Sequence, residues 1–130
     1  MKSPAWVIAA ALAFTGAVAD AADRKEQNEA RLARMLEGRV AGEPVNCITA
    51  FRTSGLMVLE NVGLVYDAGE VIYVARPRDP EGLGPDDIVI MERSGSQICT
   101  TDIIRTIDRA TGFHSGVVFI DKFVPYRKAE

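Results

Sequence analysis

The 130-residue chain has too few nitrogen and sulfur ligands for most zinc sites. It contains one histidine and two cysteines, whereas a closed tetrahedral site needs four such ligands. It also lacks an excess of positive charge, since 15 basic and 18 acidic residues give a net charge of −3. That balance disfavours a nucleic-acid-binding domain. Because C-x-x-C, phosphate-loop and G-x-S-x-G motifs are also missing, the sequence predicts no metal, cofactor or catalytic residues.

The first 19 residues have the pattern of a secretory signal peptide. Lys2 supplies a positive charge, residues 5–14 form an unbroken apolar run, and small residues end at Ala19. The uncharged stretch is shorter than the ~20 residues that a membrane-spanning helix needs. We therefore predict cleavage between Ala19 and Asp20, and a periplasmic or secreted protein with no membrane span.

Cys47 and Cys99 are the two cysteines of the chain. Export would place them in an oxidising compartment, where structural disulfides form. A redox-active pair usually has close spacing and a basic or helix-N-terminal setting, and neither is present. A structural disulfide is the preferred interpretation, with two buried free thiols as the alternative.

The pattern of side chains predicts one helix followed by short strands. Residues 20–36 are rich in helix-forming side chains and gain an apolar stripe, including Leu32, only in their second half. Such a helix packs through its C-terminal end. After Pro44 the chain changes to β-branched runs separated by turns. These runs predict strands at residues 45–51, 56–60, 63–67, 70–75, 88–92, 103–108 and 116–123. Residues 101–110 would also suit a short helix.

Short strands with close turns indicate a mainly β fold. We predict a small antiparallel β-barrel or sandwich preceded by one N-terminal α-helix. The domain organisation is a signal peptide at 1–19, a helix and linker at 20–43, a β domain at 44–126 and a C-terminal tail at 127–130. The clearest hairpin signal is Asp67-Ala68-Gly69-Glu70, because glycine suits a positive φ.

Several predicted strands are apolar on both faces. Val71 and Tyr73 alternate with Ile72 and Val74, and residues 88–91 and 117–120 follow the same pattern. A half-exposed antiparallel sheet normally alternates apolar with polar side chains. The helix can cover only part of a second apolar face. We therefore predict that a partner subunit, a partner protein or a ligand covers the rest of it.

The longest connection, residues 76–87, is the candidate binding loop. It is rich in proline and glycine, and long loops in compact domains are more often functional than average. Its charged residues are Arg76, Arg78, Asp79, Glu81, Asp86 and Asp87. The carboxylates lack the spacing of a calcium loop, so a solvated and partly self-paired loop is the more ordinary interpretation.

Similarity to a known family lies in three short segments, GRVAGEPVNCI at 38–48, SQIC with DII at 96–104, and FVPY at 123–126. They resemble a family of small exported proteins of Gram-negative bacteria that is classed as a domain of unknown function. Members usually carry four cysteines, and the two missing ones would fall near Pro80 and near Val118. The resemblance implies that Cys47 bonds Cys99 and that Pro80 lies close to Val118. It implies no activity, substrate or cofactor.

His114 is the single imidazole, and Ser115 would point away from it in an extended segment. The sequence therefore predicts a non-catalytic exported protein that binds an unknown envelope protein or itself, and no nucleic acid. One alternative is a small-ligand carrier with an apolar barrel cavity. The other is a hydrolase that uses His114 with Asp108 or Asp121.

Overall fold

The structure is a computed structural model that describes residues 17–50, 55–79, 82–92 and 95–129. Within these residues it has one helix and ten strands: α1 Ala17–Met35, β1 Arg39–Ala41, β2 Cys47–Thr49, β3 Leu56–Leu59, β4 Gly63–Asp67, β5 Val71–Ala75, β6 Asp87–Glu92, β7 Gln97–Cys99, β8 Ile103–Asp108, β9 His114–Val118 and β10 Val124–Lys128. The strands form a five-stranded sheet β1-β10-β5-β4-β3, a two-stranded sheet β2-β7 and a three-stranded sheet β6-β8-β9. All strand pairs are antiparallel.

The five-stranded sheet packs one face against the two smaller sheets. Leu64 and Ala75 of the large sheet share a buried cluster with Ile98 of β7, Ile104 of β8 and Val118 of β9. The described strands do not close into a barrel. Of the two architectures that the sequence predicts, the sandwich is therefore the one that forms, behind a single N-terminal helix.

Helix α1 covers the opposite face of the five-stranded sheet. Leu32 is buried against Val65, Ile72 and Val74, and Met35 packs at the margin of this second cluster. The polar side chains of residues 22–27 are exposed. Because successive side chains of a strand point to opposite faces, β5 contributes to both clusters. Its two-sided apolar pattern is confirmed, and the C-terminal half of the helix covers the second face.

Two glycines with positive φ mark the ends of elements where the sequence predicts them. Gly38 has φ +72° just after α1, in the conformation that commonly ends a helix. Gly69 has φ +90° in the hairpin between β4 and β5. Its N–H donates to Asp67 Oδ1 over 2.8 Å, and the Ala68 N–H donates to the Val71 carbonyl over 2.9 Å. The predicted hairpin is confirmed.

The sheet extends beyond the predicted β domain at both ends. β1 lies within the predicted linker, and β10 continues past residue 126 into the predicted tail. Pairing of Arg39 with Lys128 joins the two strands. Neither strand was predicted, because β1 has three residues and β10 contains Pro125, which argues against a strand.

The other element bounds agree in part. β4 and β8 match the prediction, so residues 103–108 form a strand and the helical alternative is wrong. The three-residue strand β7 was not predicted. The predicted strand at 116–123 instead ends at Val118, because the Phe119 carbonyl accepts the Arg78 N–H over 2.8 Å and the chain changes partner there. Phe51, at the end of the first predicted strand, lies outside the described residues.

The predicted signal peptide falls mostly outside the described part of the chain, which excludes residues 1–16. Ala19 and Asp20, on either side of the predicted cleavage point, lie in the first turn of α1. In the part of the chain that the structure describes, no helix has the length and apolar character that crossing a membrane requires.

Candidate functional site

Cys47 and Cys99 form a disulfide. The two residues lie directly opposite each other in the β2–β7 pair, with their Cα atoms 4.0 Å apart. Side chains alternate between the two faces along each strand. The adjacent pair, Ile48 and Ile98, therefore points into the buried cluster between the sheets, which we call the main core. The predicted disulfide is confirmed and the alternative of two free thiols is wrong. Its position, which ties the smallest sheet over the core, is that of a structural disulfide.

Pro80, the other position implied by the family resemblance, lies outside the described residues. Its neighbours in the chain, Asp79 and Gly82, line a small depression of about 80 Å³ together with Val118. The implied proximity of Pro80 to Val118 stays a prediction.

The first arginine of the candidate binding loop is bound to the helix. Arg76 donates to the two carboxylate oxygens of Glu29 over 2.7 and 3.1 Å. These hydrogen bonds lower the pKa of the Glu29 carboxyl below its ordinary value of 4.5, and they raise the pKa of the Arg76 guanidinium. The Arg76 carbonyl also accepts the Asp121 N–H over 2.8 Å. Arg76 therefore connects α1 with the segment that follows β9.

The rest of the loop is attached to the domain. Arg78 Nε lies 3.7 Å from Asp121 Oδ1, and Leu83 is fully buried in the main core. Asp87 Oδ2 accepts the Gly84 N–H over 2.9 Å. The Asp86 carbonyl accepts the Arg109 N–H over 2.7 Å. Asp79 borders the depression described above, and Glu81 lies outside the described residues. Arg76, Arg78 and Asp87 thus bind groups of this chain, while ligand binding by the loop stays a prediction.

The two carboxylates of the hydrolase alternative bind different groups of this chain, while His114 lies in β9 opposite Ile107 of β8. Asp108 Oδ1 accepts the N–H groups of the turn that follows β8, over 2.8 and 3.1 Å. Asp121 faces Arg78. The Ser115 hydroxyl lies 2.8 Å from both Asp87 Oδ1 and the buried Thr106 hydroxyl. Among the described residues, no group of three or more histidine, cysteine, aspartate or glutamate side chains could hold a metal.

The three-stranded sheet has an apolar face that no described element covers. Its inward side chains, such as Met91 and Ile104, pack in or against the main core. The outward side chains alternate with them. Four of these are apolar and between 38% and 52% exposed: Ile88, Ile90, Ile103 and Val117. Phe119, the residue after the end of β9, is 64% exposed and is included with them. We call this surface, together with the Glu92 and Arg105 side chains within it, the outer face.

The strand register places Ile90, Ile103 and Val117 on one surface with the two charged residues. Residues directly opposite each other in antiparallel strands share a face. Ile90 is opposite Arg105, and Arg105 is opposite Val117, so one row crosses all three strands. Glu92 is opposite Ile103 in the next row. An open depression of about 360 Å³ lies beside this row, lined by Arg105, Val117 and residues 114–116.

Two opposite charges lie within the outer face. Arg105 Nη1 is 3.4 Å from Glu92 Oε1, and both side chains are well exposed. Within the described residues this contact uses one guanidinium nitrogen of Arg105, and arginine has five N–H groups in all. The surface therefore combines aliphatic and aromatic contact area with one cation and one anion.

The sequence predicts that an uncovered apolar surface exists, but it does not predict which sheet carries it. The alternating apolar residues at 88–91 and 117–120 predict strands with two apolar faces, as found. Which second face the helix covers depends on the long-range pairing of strands, and this pairing leaves no trace in one sequence. Ile103 and Arg105 were not singled out, because they join the surface only through the register of β8.

Comparison of the chain with protein-family models, with curated proteins and with solved structures gave no match.

Proposed function

We propose that this protein is an exported, non-catalytic interaction module that binds a protein through the outer face. The observation that carries the proposal is the size and continuity of this exposed apolar surface. Its five apolar residues are between 38% and 64% exposed, and contiguous apolar patches of a few hundred Å² on monomers are often functional.

The hydrophobic contribution of such a surface is of the same size as the cost of association. Covering about 500 Å² of apolar surface contributes roughly 10 kcal/mol before costs. Lost translational and rotational freedom opposes association by about 4–15 kcal/mol. A partner that only covers the surface would therefore bind weakly. Measurable affinity requires complementary shape and a partner for Arg105 and Glu92.

Export is part of the proposal and has three supports. The first 19 residues have the pattern of a signal peptide. The Cys47–Cys99 disulfide is typical of proteins that fold in an oxidising compartment. The three sequence segments that contain Cys47, Cys99 and Phe123 resemble a family of exported Gram-negative proteins. These supports favour the periplasm or the cell exterior.

A role without catalysis agrees with the contacts of the polar groups. Asp108 and Asp121 bind different groups of this chain, and Ser115 is bonded to Asp87. The alternative of a ligand carrier gains no support from the core, which is filled by side chains such as Phe123. An open depression of about 600 Å³ lies beside the β4–β5 hairpin.

The test compares crosslinking from two exposed valines. A photo-crosslinking amino acid replaces Val117 on the outer face or Val40 on β1, which are 52% and 61% exposed. The full chain is expressed in its native host, irradiated and examined for adducts of defined mass. We expect a discrete adduct from position 117 that disappears with Ile90→Lys, and none from position 40. Equal labelling from both positions, or no adduct from position 117, would overturn the proposal.

A further inference from the structure

We infer that the partner of the outer face is a second copy of this chain, which forms a symmetric dimer by packing two three-stranded sheets face to face. This inference rests on the proposed function, because it names the protein that the proposed surface binds. Two properties of the outer face lead to it, its charge pattern and its area.

The charge pattern is self-complementary. The face carries one cation, Arg105, and one anion, Glu92, on neighbouring strands. In a two-fold arrangement, the same surface of each copy contacts the other, and a contact between two different residues occurs twice. Arg105 of each copy can therefore bind Glu92 of the other. Both charges then enter the interface with partners, and none is left buried alone.

The area also suits a dimer. A standard interface covers about 800 Å² per partner, of which somewhat more than half is apolar, and homodimer interfaces are more apolar still. The outer face supplies five apolar residues that are 38% to 64% exposed, and the exposed Arg105 and Glu92 side chains add charged surface among them. Packing of two sheets through such faces is the ordinary arrangement of a β-sandwich.

The opposite face of the three-stranded sheet is already buried by packing of sheet against sheet. There, Val89, Met91, Ile104 and Val118 lie against the other sheets of the same chain. On the outer face, the equivalent apolar positions remain exposed. A second copy would bring β6, β8 and β9 of one chain against those of the other and remove this surface from water.

The experiment exchanges charges between copies. The full chain is expressed with export, so that it is purified as the cell processes it, and its mass is measured by light scattering over a concentration series. We expect a dimer for the wild type. Arg105→Glu places two anions on the face, and Glu92→Arg places two cations. Because like charges then meet across the interface, each variant alone should self-associate at least about tenfold more weakly.

A mixture of the two variants distinguishes ion pairs between two copies from the ion pair within one chain. In the heterodimer, both intermolecular pairs are again opposite in charge, whereas the pair within each chain is still broken. We expect the equimolar mixture to form a dimer of near wild-type affinity. A monomeric wild type, singles that dimerise normally, or a mixture that stays monomeric would each overturn the inference.

Two controls keep the outcome interpretable. Val117→Lys should abolish the dimer, while Val40→Lys, an equally exposed valine outside the outer face, should leave it intact. Circular dichroism and the thiol content confirm that every variant folds and oxidises. If the purified protein is monomeric but position 117 crosslinks a different protein in the cell, the dimer is overturned and the proposed function stands. If position 117 also gives no adduct, both are overturned.

Discussion

Arg76 and Glu29 form a bidentate ion pair that joins helix α1 to the first residue of the long loop. The guanidinium nitrogens lie 2.7 and 3.1 Å from the carboxylate oxygens. Leu32, less than one helical turn further along α1, is buried in the second cluster, between the helix and the five-stranded sheet. The pair therefore holds α1 in the orientation that places its apolar stripe over the five-stranded sheet.

The Arg76–Glu29 pair should contribute modestly to stability. Its side chains are 50% and 37% exposed, and solvent screening limits such pairs to about 1 kcal/mol or less. We expect Glu29→Gln and Arg76→Gln each to lower the free energy of unfolding by this amount, and the double variant to be no worse than either single. Glu26→Gln, on the exposed part of the same helix, is the control. Additive losses in a double-mutant cycle would show that the two side chains do not interact.

The same pair predicts a dependence of stability on acid. Hydrogen bonding to Arg76 lowers the pKa of Glu29 in the folded protein below 4.5. The stabilisation is then complete above pH ~4.5 and is lost as the pH falls through the folded pKa, because protonated Glu29 no longer pairs. The difference in unfolding free energy between wild type and Glu29→Gln should therefore shrink between pH 6 and pH 3. A difference that is constant or grows in acid would contradict this assignment.

Local patterns predicted the elements whose side chains alternate clearly. β4 and β8 have the predicted bounds, since both are rich in β-branched or aromatic residues and turn residues flank them. β1 and β7 have only three residues each and β10 contains Pro125, so their local patterns did not indicate strands, and only long-range pairing, as between Arg39 and Lys128, defines them. The candidate site was likewise predictable only in part. The uncovered apolar surface was predicted from alternation, but its placement on β6, β8 and β9 depends on strand order.

The disulfide should stabilise the domain strongly. It closes a loop with a sequence separation of 52, for which the chain-entropy model gives about 4 kcal/mol. We expect Cys47→Ala with Cys99→Ala to lower the free energy of unfolding by this order, measured by chemical denaturation. Adding a reductant to the wild type should produce a similar loss and should leave the double variant unchanged. A double variant as stable as the oxidised wild type would contradict the structural role.

Gly63 should tolerate no side chain. A Cβ at this position would lie 2.5 Å from the Ala75 carbonyl oxygen on the adjacent strand β5. Relief requires movement of the backbone, so we expect Gly63→Ala to cost at least about 2 kcal/mol in denaturant unfolding. Gly116→Ala is the matched control within a strand, because its Cβ would lie 3.6 Å from the Thr106 hydroxyl, an ordinary contact. Equal effects of the two substitutions would contradict the close approach of β4 and β5.

Asp87 and Asp86 are adjacent acidic residues of the candidate loop, and they should respond differently to truncation. Asp87 accepts hydrogen bonds from the Gly84 N–H and the Ser115 hydroxyl, over 2.9 and 2.8 Å. The buried Thr106 hydroxyl lies 2.8 Å from Ser115. Since one proton serves each contact, Thr106 donates to Ser115 and Ser115 donates to Asp87. The carboxylate therefore terminates a chain of hydroxyl groups that begins in the core.

Removing the Asp87 carboxylate should cost about 2 kcal/mol, because charged acceptors contribute more than neutral ones and the hydroxyl chain loses its end. Asp86→Ala should change stability by less than about 0.5 kcal/mol, as is usual for exposed side chains. Thermal and denaturant unfolding of the two variants measure both effects. Equal losses would show that Asp87 has no special structural role. The expected contrast would assign Asp87, and not Asp86, to the internal hydrogen bonds of the domain.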